Sequence, residues 1–158
     1  MTTIAVIGPG EADEATESQA ERIGADLATA GVVLVCGGLG GVMEAACRGA
    51  RRHGGITIGL LPGDDPSAAN PYIQVALPTG LGELRNGLIV RAADAVIAVA
   101  GEYGTLSEIA LALKLGRPVV GVGTWSLSRP DGQVDDGIWV AGAADAVPTA
   151  LRLISEPA

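Results

Sequence analysis

Two glycine-rich turns are the segments of this sequence whose residue types and spacing could bind a phosphate. The first is Gly37-Gly38-Leu39-Gly40-Gly41, and the second is Gly101-Glu102-Tyr103-Gly104-Thr105. Each turn follows an apolar run typical of a β-strand and precedes a helical pattern. Glycine lets the backbone approach a ligand closely, and the first turn of a helix offers unpaired N–H groups to an anion. We therefore predict a phosphate-binding site formed by Gly37, Gly38, Gly40, Gly41, Gly101, Tyr103, Gly104 and Thr105.

The elements that must position these turns alternate regularly along the chain. Strands are predicted at 4–8, 32–36, 56–61, 74–77, 95–99 and 119–122, with a short strand near Ile138. Helices are predicted at about 14–30, 41–53, 84–93, 105–115 and 145–154. Repeated βα units indicate a single Rossmann-like α/β domain over residues 1–158, with a mainly parallel sheet between two helix layers.

In such a sheet, ligands bind at the carboxyl ends of the strands, where both glycine turns are expected to lie. Gly8, at the end of the first strand, is predicted at the same edge and joins the candidate ligand contacts. Gly8-Pro9-Gly10 lacks the third glycine of a dinucleotide fingerprint, and the chain has no P-loop Lys-Ser/Thr pair, so neither NAD binding nor ATP hydrolysis is supported. The alternative that the glycines only form tight βα turns stays open.

Composition excludes several function classes. The net charge of −8 provides no excess of Lys and Arg to neutralise a nucleic-acid backbone, so no nucleic-acid partner is expected. The strand-like start has no basic segment before it, and the long uncharged stretch at 66–82 contains three prolines. We therefore predict a cytoplasmic protein that does not associate with a membrane.

The cysteine and histidine counts favour neither a metal site nor histidine-based catalysis. The two cysteines, Cys36 and Cys47, are predicted to be small buried residues, and the single histidine, His53, is predicted to lie at a helix C-terminus. No zinc-binding motif is present, and Lys114, the one lysine, is predicted far from the phosphate site. We expect no metal and no bound cofactor.

Three segments resemble the LOG-like (SLOG) superfamily, named after cytokinin-activating phosphoribohydrolases. They read GGLGGVMEA from Gly37, RNGLIVRAADAVIAVAGEYGTLSE from Arg85, and LGRPV from Leu115. The segments PGDD from Pro62, ANPY from Ala69 and TGLGE from Thr79 are similar to those of a branch of small, mostly uncharacterised proteins. Molybdenum cofactor carrier proteins are similar as well.

The resemblance implies catalytic roles for Arg85 and Glu108, which match the Arg and Glu of the phosphoribohydrolases. Such enzymes hydrolyse the N-glycosidic bond of a nucleoside 5′-monophosphate. A carboxylate can stabilise the positive charge that develops on the ribose, while an arginine holds the phosphate or the ribose. The alternative is that Arg85 is a partner in a surface ion pair and Glu108 a solvated acid in the first turn of its helix.

Two departures from the enzyme pattern leave a second function open. The enzymatic PGG reads Ala100-Gly101-Glu102 here, and the enzymatic Arg-Lys pair reads Arg85-Asn86. The alternative function is therefore a non-catalytic carrier or sensor of a nucleotide-like ligand, such as a molybdenum cofactor carrier. In both cases the partner is a small phosphorylated ligand, AMP-like or molybdenum cofactor-like. The resemblance and the apolar helices at 84–93 and 105–115 also predict a homo-oligomer, a dimer or tetramer.

Overall fold

The computed structural model describes residues 1–156, in which seven strands alternate with five α-helices. The strands are β1 (Thr3–Ile7), β2 (Val33–Cys36), β3 (Thr57–Leu61), β4 (Val75–Pro78), β5 (Ala95–Val99), β6 (Val119–Val122) and β7 (Ile138–Val140). The helices are α1 (Glu14–Thr29), α2 (Val42–Arg52), α3 (Asn86–Arg91), α4 (Tyr103–Lys114) and α5 (Ala143–Ser155). Two short 3-10 helices are Pro66–Ala68 and Gly82–Arg85.

All seven strands form one parallel sheet in the order β4-β3-β2-β1-β5-β6-β7. The chain builds outward from β1 to β4, then returns to the other side of β1 and builds outward again through β5, β6 and β7. The order therefore reverses between β1 and β5, which is the position where open α/β sheets bind ligands.

The core has two parts, one on each face of the sheet, because side chains alternate along each strand. Ile4 and Val6 of β1 pack with α1, α2 and α5, whereas Ala5 and Ile7 pack with α3 and α4. Small aliphatic side chains fill both parts, as is typical of parallel strands covered by helices. The predicted Rossmann-like three-layer fold is confirmed.

Helices α1 and α2 approach so closely that their backbones touch. A Cβ on Gly24 would lie 1.8 Å from Ala46 O, and a Cβ on Gly49 would lie 1.9 Å from Glu21 O. Beside this contact, Arg48 Nε donates a 2.9 Å hydrogen bond to Glu21 Oε2. Helix α2, which begins at the first glycine turn, is therefore held tightly against α1.

The predicted helix at 84–93 differs most from the structure. It begins as the 3-10 turn Gly82–Arg85, in which Leu84 N donates to Leu81 O over three residues, and the α-helix proper ends at Arg91. Gly82 N also bonds to Pro62 O, which ties this turn to the end of β3. The tight first turn places Arg85 at the junction of the two helical segments.

No helix within residues 1–156 has both the length and the apolar character needed to cross a membrane.

Candidate functional site

A cavity of about 150 Å³ lies at the carboxyl ends of β1, β2 and β5, where the strand order reverses. We name it the Arg85 cavity. Six of the residues predicted for the site line it, although they come from four separate segments of the chain. They are Gly8, Gly37, Arg85, Gly104, Thr105 and Glu108. The other five predicted residues, which do not line this cavity, are Gly38, Gly40, Gly41, Gly101 and Tyr103.

Arg85 is buried, with 8% of its surface exposed, so it is not a surface ion-pair residue. Its Nη2 donates a 3.3 Å hydrogen bond to Gly37 O, and its Nη1 donates to Asn86 Oδ1. Its Nε is buried and has no hydrogen-bond partner in the protein. Burial lowers the pKa of Arg85, and the nearby carboxyl of Glu108 partly opposes this effect. A buried cationic donor without a partner is unfavourable, so an anionic ligand atom here would be strongly stabilised.

Glu108 is also buried, with 6% of its surface exposed, which excludes the solvated alternative. It lies in the second turn of α4. Burial raises the pKa of Glu108 to about 8, and Arg85 opposes the rise. The ion pairs of residues 1–156 do not include these two side chains, so the guanidinium and the carboxyl face one cavity without direct contact. The raised pKa favours the protonated carboxyl, which can donate a hydrogen bond.

The start of α4 supplies backbone donors to the same cavity. The first intrahelical bond runs from Leu106 N to Glu102 O, so the N–H groups of Tyr103, Gly104 and Thr105 have no partner within the helix. The Glu102 side chain does not cap them. A Cβ on Gly104 would find Asn86 Nδ2, 3.8 Å away, as its nearest neighbour, so ligand atoms have room here. The positive end of the helix dipole adds to the attraction for an anion.

Several polar groups of the first glycine turn are bonded within the protein. Gly38 N donates to Cys36 Sγ at 3.3 Å, and Gly38 O accepts a bond from Asn70 N at 2.9 Å. Val42 N, in the first turn of α2, donates to Pro9 O. This turn therefore stabilises the edge of the sheet, while the N–H groups of Leu39, Gly40 and Gly41 donate to no other group within residues 1–156.

Two glycines of the first turn also make room for neighbouring parts of the protein. A Cβ on Gly41 would lie 2.4 Å from Pro9 O, so this glycine lets the loop after β1 pack against the turn. A Cβ on Gly37 would lie 2.8 Å from Arg85 Nη2 and from Met43 Sδ. Gly8 has a comparable role, because its Cβ would lie 2.6 Å from Val99 O. Their roles as ligand contacts stay predictions.

Seven cavity residues were not predicted as part of the site, and three of them, Asn86, Glu102 and Met43, have side chains beside Arg85, α4 or Gly37. Asn86 orients the Arg85 guanidinium, Glu102 lies at the start of α4, and Met43 lies beside Gly37. The phosphoribohydrolases have other residues at the positions of Asn86 and Glu102. This difference is the sequence signal that could have identified both residues as part of the site. No sequence signal distinguishes Met43 from an ordinary core methionine.

The two cysteines, by contrast, behave as predicted. Cys36 and Cys47 are buried, with their Sγ atoms 3.6 Å apart. The hydrogen bond from Cys36 and burial both raise the pKa of Cys47, so it remains a thiol. Within residues 1–156 no three His, Cys, Asp or Glu side chains are grouped in a way that could hold a metal ion.

Known proteins with a similar fold include two that handle the molybdenum cofactor. The molybdenum cofactor binding protein of Rippkaea orientalis has a TM-score of 0.85 and 34% identity, with 98% of each chain covered. The molybdenum cofactor carrier protein of Chlamydomonas reinhardtii has a TM-score of 0.83 and 32% identity, covering 98% of this chain and 99% of that one.

Sequence comparison confirms the resemblance to the LOG-like superfamily. An uncharacterised protein of Archaeoglobus fulgidus is 46% identical over 119 residues, which are 75% of this chain and 78% of that protein. The family model described as the SLOG cluster4 family matches residues 1–144. The chain belongs to the SLOG cluster4 family.

Proposed function

We propose that this protein binds a small phosphorylated heterocycle, with the phosphate in the Arg85 cavity, and carries it without hydrolysing it. The proposal rests on the buried Arg85 guanidinium. Its Nε has no hydrogen-bond partner in the protein, and Arg85 lines the same cavity as the first amides of α4. A cation and several N–H donors around one small cavity match the geometry of a phosphate group.

The similar solved structures favour the carrier over the enzyme. Both are described by their binding or carrying of the molybdenum cofactor, and each covers nearly the whole chain at more than 30% identity. The molybdenum cofactor is a phosphorylated pterin, so the Arg85 cavity would hold its phosphate as part of the cargo. A nucleoside 5′-monophosphate presents the same phosphate chemistry.

The charge state of Glu108 also favours the carrier. A phosphoribohydrolase needs an ionised carboxylate to stabilise the positive charge that develops on the ribose. Burial holds the pKa of Glu108 at about 8, so most molecules carry a neutral acid there at pH 7. The neutral acid can donate a hydrogen bond to a phosphate oxygen, which suits retention of the ligand.

Hydrolysis of the N-glycosidic bond remains the second candidate because Arg85 and Glu108 share one cavity, as the enzyme pattern requires. The sharpest test combines binding and turnover. AMP and ribose 5-phosphate are titrated by calorimetry, and release of adenine from AMP is followed by chromatography. The carrier predicts binding without adenine release. Turnover by the wild type that disappears in Glu108→Gln would instead support the enzyme.

A matched substitution separates a specific phosphate site from general charge attraction. Arg85→Ala should weaken AMP binding by about a hundredfold, since a charged hydrogen bond contributes roughly 1.5–3 kcal/mol. Arg91→Ala, which replaces an exposed arginine of α3, is the control and should leave affinity unchanged. Equal affinity in wild type and Arg85→Ala would contradict the proposed phosphate position.

We further propose that the protein is a homo-oligomer assembled beside this site. Several apolar side chains around the Arg85 turn and the start of α4 are exposed, namely Leu81, Leu84, Leu88 and Tyr103. Exposed apolar side chains of this size are typical of a protein interface when they lie together. The acidic net charge supports the absence of a nucleic-acid partner, and a cytoplasmic location is part of the same proposal.

A further inference from the structure

A second hollow lies next to the Arg85 cavity, at the carboxyl ends of β5 and β6. It has a volume of about 250 Å³ and is lined by Ala100, Gly101, Gly123, Thr124 and Trp125. We name it the Trp125 pocket. Gly101 lines this pocket and the next residue, Glu102, lines the Arg85 cavity, so a single backbone segment separates the two spaces.

Each of the two spaces is smaller than a typical small-molecule site. Small-molecule sites typically have volumes of about 300–1,000 Å³. The Arg85 cavity, at about 150 Å³, and the Trp125 pocket, at about 250 Å³, are each below that range. Together they fall within it. The Arg85 cavity has room for a phosphate group, and the rest of a phosphorylated heterocycle needs a neighbouring space.

Thr124 lines the Trp125 pocket and carries a polar atom without a partner. Its Oγ1 is buried and has no hydrogen-bond partner in the protein. A buried hydroxyl without a partner is unfavourable, so such groups are usually bonded. A ring nitrogen or a carbonyl oxygen of a ligand would satisfy this hydroxyl.

Two aromatic side chains flank the segment between the spaces. The rings of Trp125 and Tyr103 have centroids 5.8 Å apart, and Tyr103 is 79% exposed. Trp125 Nε1 donates a 3.2 Å hydrogen bond to Glu102 O, which fixes the indole beside the segment. A Cβ on Gly101 would lie 2.8 Å from Trp125 Nε1, so the indole can lie there only because residue 101 is glycine.

The backbone at this segment is strained. Ala100 has a φ of 51°, and it is the one non-glycine residue with positive φ among residues 1–156. Its N–H bonds to Val122 O of β6, which holds this conformation. Such strain is concentrated at ligand sites, where the surrounding structure maintains it.

We propose that the Trp125 pocket binds the ring of the ligand, a fused heterocycle such as a pterin or a purine. The ring packs against Trp125, and an atom on its edge bonds to the Thr124 hydroxyl. This inference rests on the proposed function, because it places the phosphate of the same ligand in the Arg85 cavity. Aromatic packing and one neutral hydrogen bond would then distinguish a phosphorylated heterocycle from a simple sugar phosphate.

The test compares ligands with and without the ring. AMP and neopterin phosphate carry a fused ring, and ribose 5-phosphate carries none. Affinities are measured by calorimetry for the wild type, Thr124→Val and Trp125→Leu, with Trp139→Leu as the control, since Trp139 lies on β7 outside both spaces. Thr124→Val retains the shape of the side chain and removes the hydroxyl alone.

We expect the ring ligands to bind the wild type at least tenfold more tightly than ribose 5-phosphate. Thr124→Val should weaken ring-ligand binding about three- to tenfold, and Trp125→Leu about tenfold. Neither variant should change the affinity for ribose 5-phosphate, and Trp139→Leu should change nothing. In a Trp139→Phe background, AMP should also alter the fluorescence of Trp125, whereas ribose 5-phosphate should not.

The outcomes separate this inference from the function on which it rests. Equal affinity for AMP, neopterin phosphate and ribose 5-phosphate, unaffected by Thr124→Val, would overturn the Trp125 pocket and leave the phosphate site intact. Failure of all three ligands to bind would overturn the proposed function and, with it, this inference. If a variant fails to fold, the fluorescence response in Trp139→Phe still decides the question.

Discussion

Arg85 Nη2 lies 3.3 Å from Gly37 O, across 48 residues of sequence, and a side chain on Gly37 would occupy the space of the guanidinium. This contact joins the end of β2 to the 3-10 turn before α3. The buried cation is therefore positioned by a backbone carbonyl and by the absence of a side chain, in addition to Asn86. The geometry of the Arg85 cavity therefore depends on Gly37, a residue that need not touch the ligand.

Gly37→Ala tests this dependence. The new methyl group would lie about 2.8 Å from Arg85 Nη2 and Met43 Sδ, so at least one of these side chains must move. We expect AMP affinity to fall by roughly tenfold or more, with a small decrease in Tm, because a displaced guanidinium loses part of its charged hydrogen bonding. Calorimetry and thermal unfolding measure the two effects. Gly63→Ala, where a Cβ would meet nothing within 4 Å, is the control.

Glu108→Gln should change how stability depends on pH. The pKa of Glu108 is about 8 in the folded protein, against 4.5 for an unperturbed glutamate, so the folded state holds the extra proton between these pH values. The wild type therefore loses stability as pH rises from about 4.5 to 8, and the neutral Gln variant lacks this loss.

The expected difference is on the order of 4 kcal/mol across that range, or roughly 8–16 °C in Tm. Thermal unfolding at several pH values between about 5 and 8.5 measures it. Glu83→Gln, a substitution of an exposed glutamate, should follow the wild type. Parallel curves for the wild type and Glu108→Gln would show that the carboxyl is not held neutral.

Glu102→Gln should strengthen the binding of inorganic phosphate. Glu102 lies at the start of α4 and lines the Arg85 cavity without capping the helix, so its charge repels an anion bound at the same amides. We expect a gain of about threefold at low ionic strength, and a smaller gain at high salt, where charges are screened. Glu14→Gln, which removes an acid from the first turn of α1, is the matched control. Weaker phosphate binding in Glu102→Gln would contradict this prediction.

Leu84→Glu should split the proposed oligomer. Leu84 is 80% exposed on the turn that ends in Arg85, so a charge there would be tolerated in a monomer and unfavourable in an apolar interface. Light scattering should give a mass near 15.7 kDa for the variant and a multiple of it for the wild type. Val134→Glu, another exposed apolar position, should keep the wild-type mass. A wild-type mass near 15.7 kDa would refute the oligomer.

Several features of the fold follow from local patterns in the sequence. The run from Ala95 to Val99 is entirely apolar, as expected for a central parallel strand, and all five residues are buried. Gly31, with a φ of 70°, follows the end of α1 as a helix-ending glycine should. Such features depend on neighbours in sequence, and a local pattern is enough to predict them.

The site was harder to predict because its properties depend on residues far apart in sequence. The resemblance identified Arg85 and Glu108, but their burial and the neutral state of Glu108 follow from packing across the sheet edge. The ligand role of the first glycine turn stays a prediction, and two of its glycines, Gly37 and Gly41, are also needed for contacts with Arg85 and with the loop after β1. Trp125 lies in an irregular segment after β6, where no periodicity indicates that it packs beside Glu102.

The backbone contact between α1 and α2 has a consequence for how this family varies. At Gly24 and Gly49 even a methyl group would overlap a carbonyl oxygen of the facing helix, although neither residue lines the Arg85 cavity. A substitution at either glycine would therefore move α2. Because α2 begins at the turn that contacts the loop after β1, that turn would move as well. In a set of variants tested for ligand binding, substitutions of either glycine would reduce binding although neither residue contacts the ligand. A glycine that is invariant among relatives would therefore indicate this helix crossing as readily as a ligand contact.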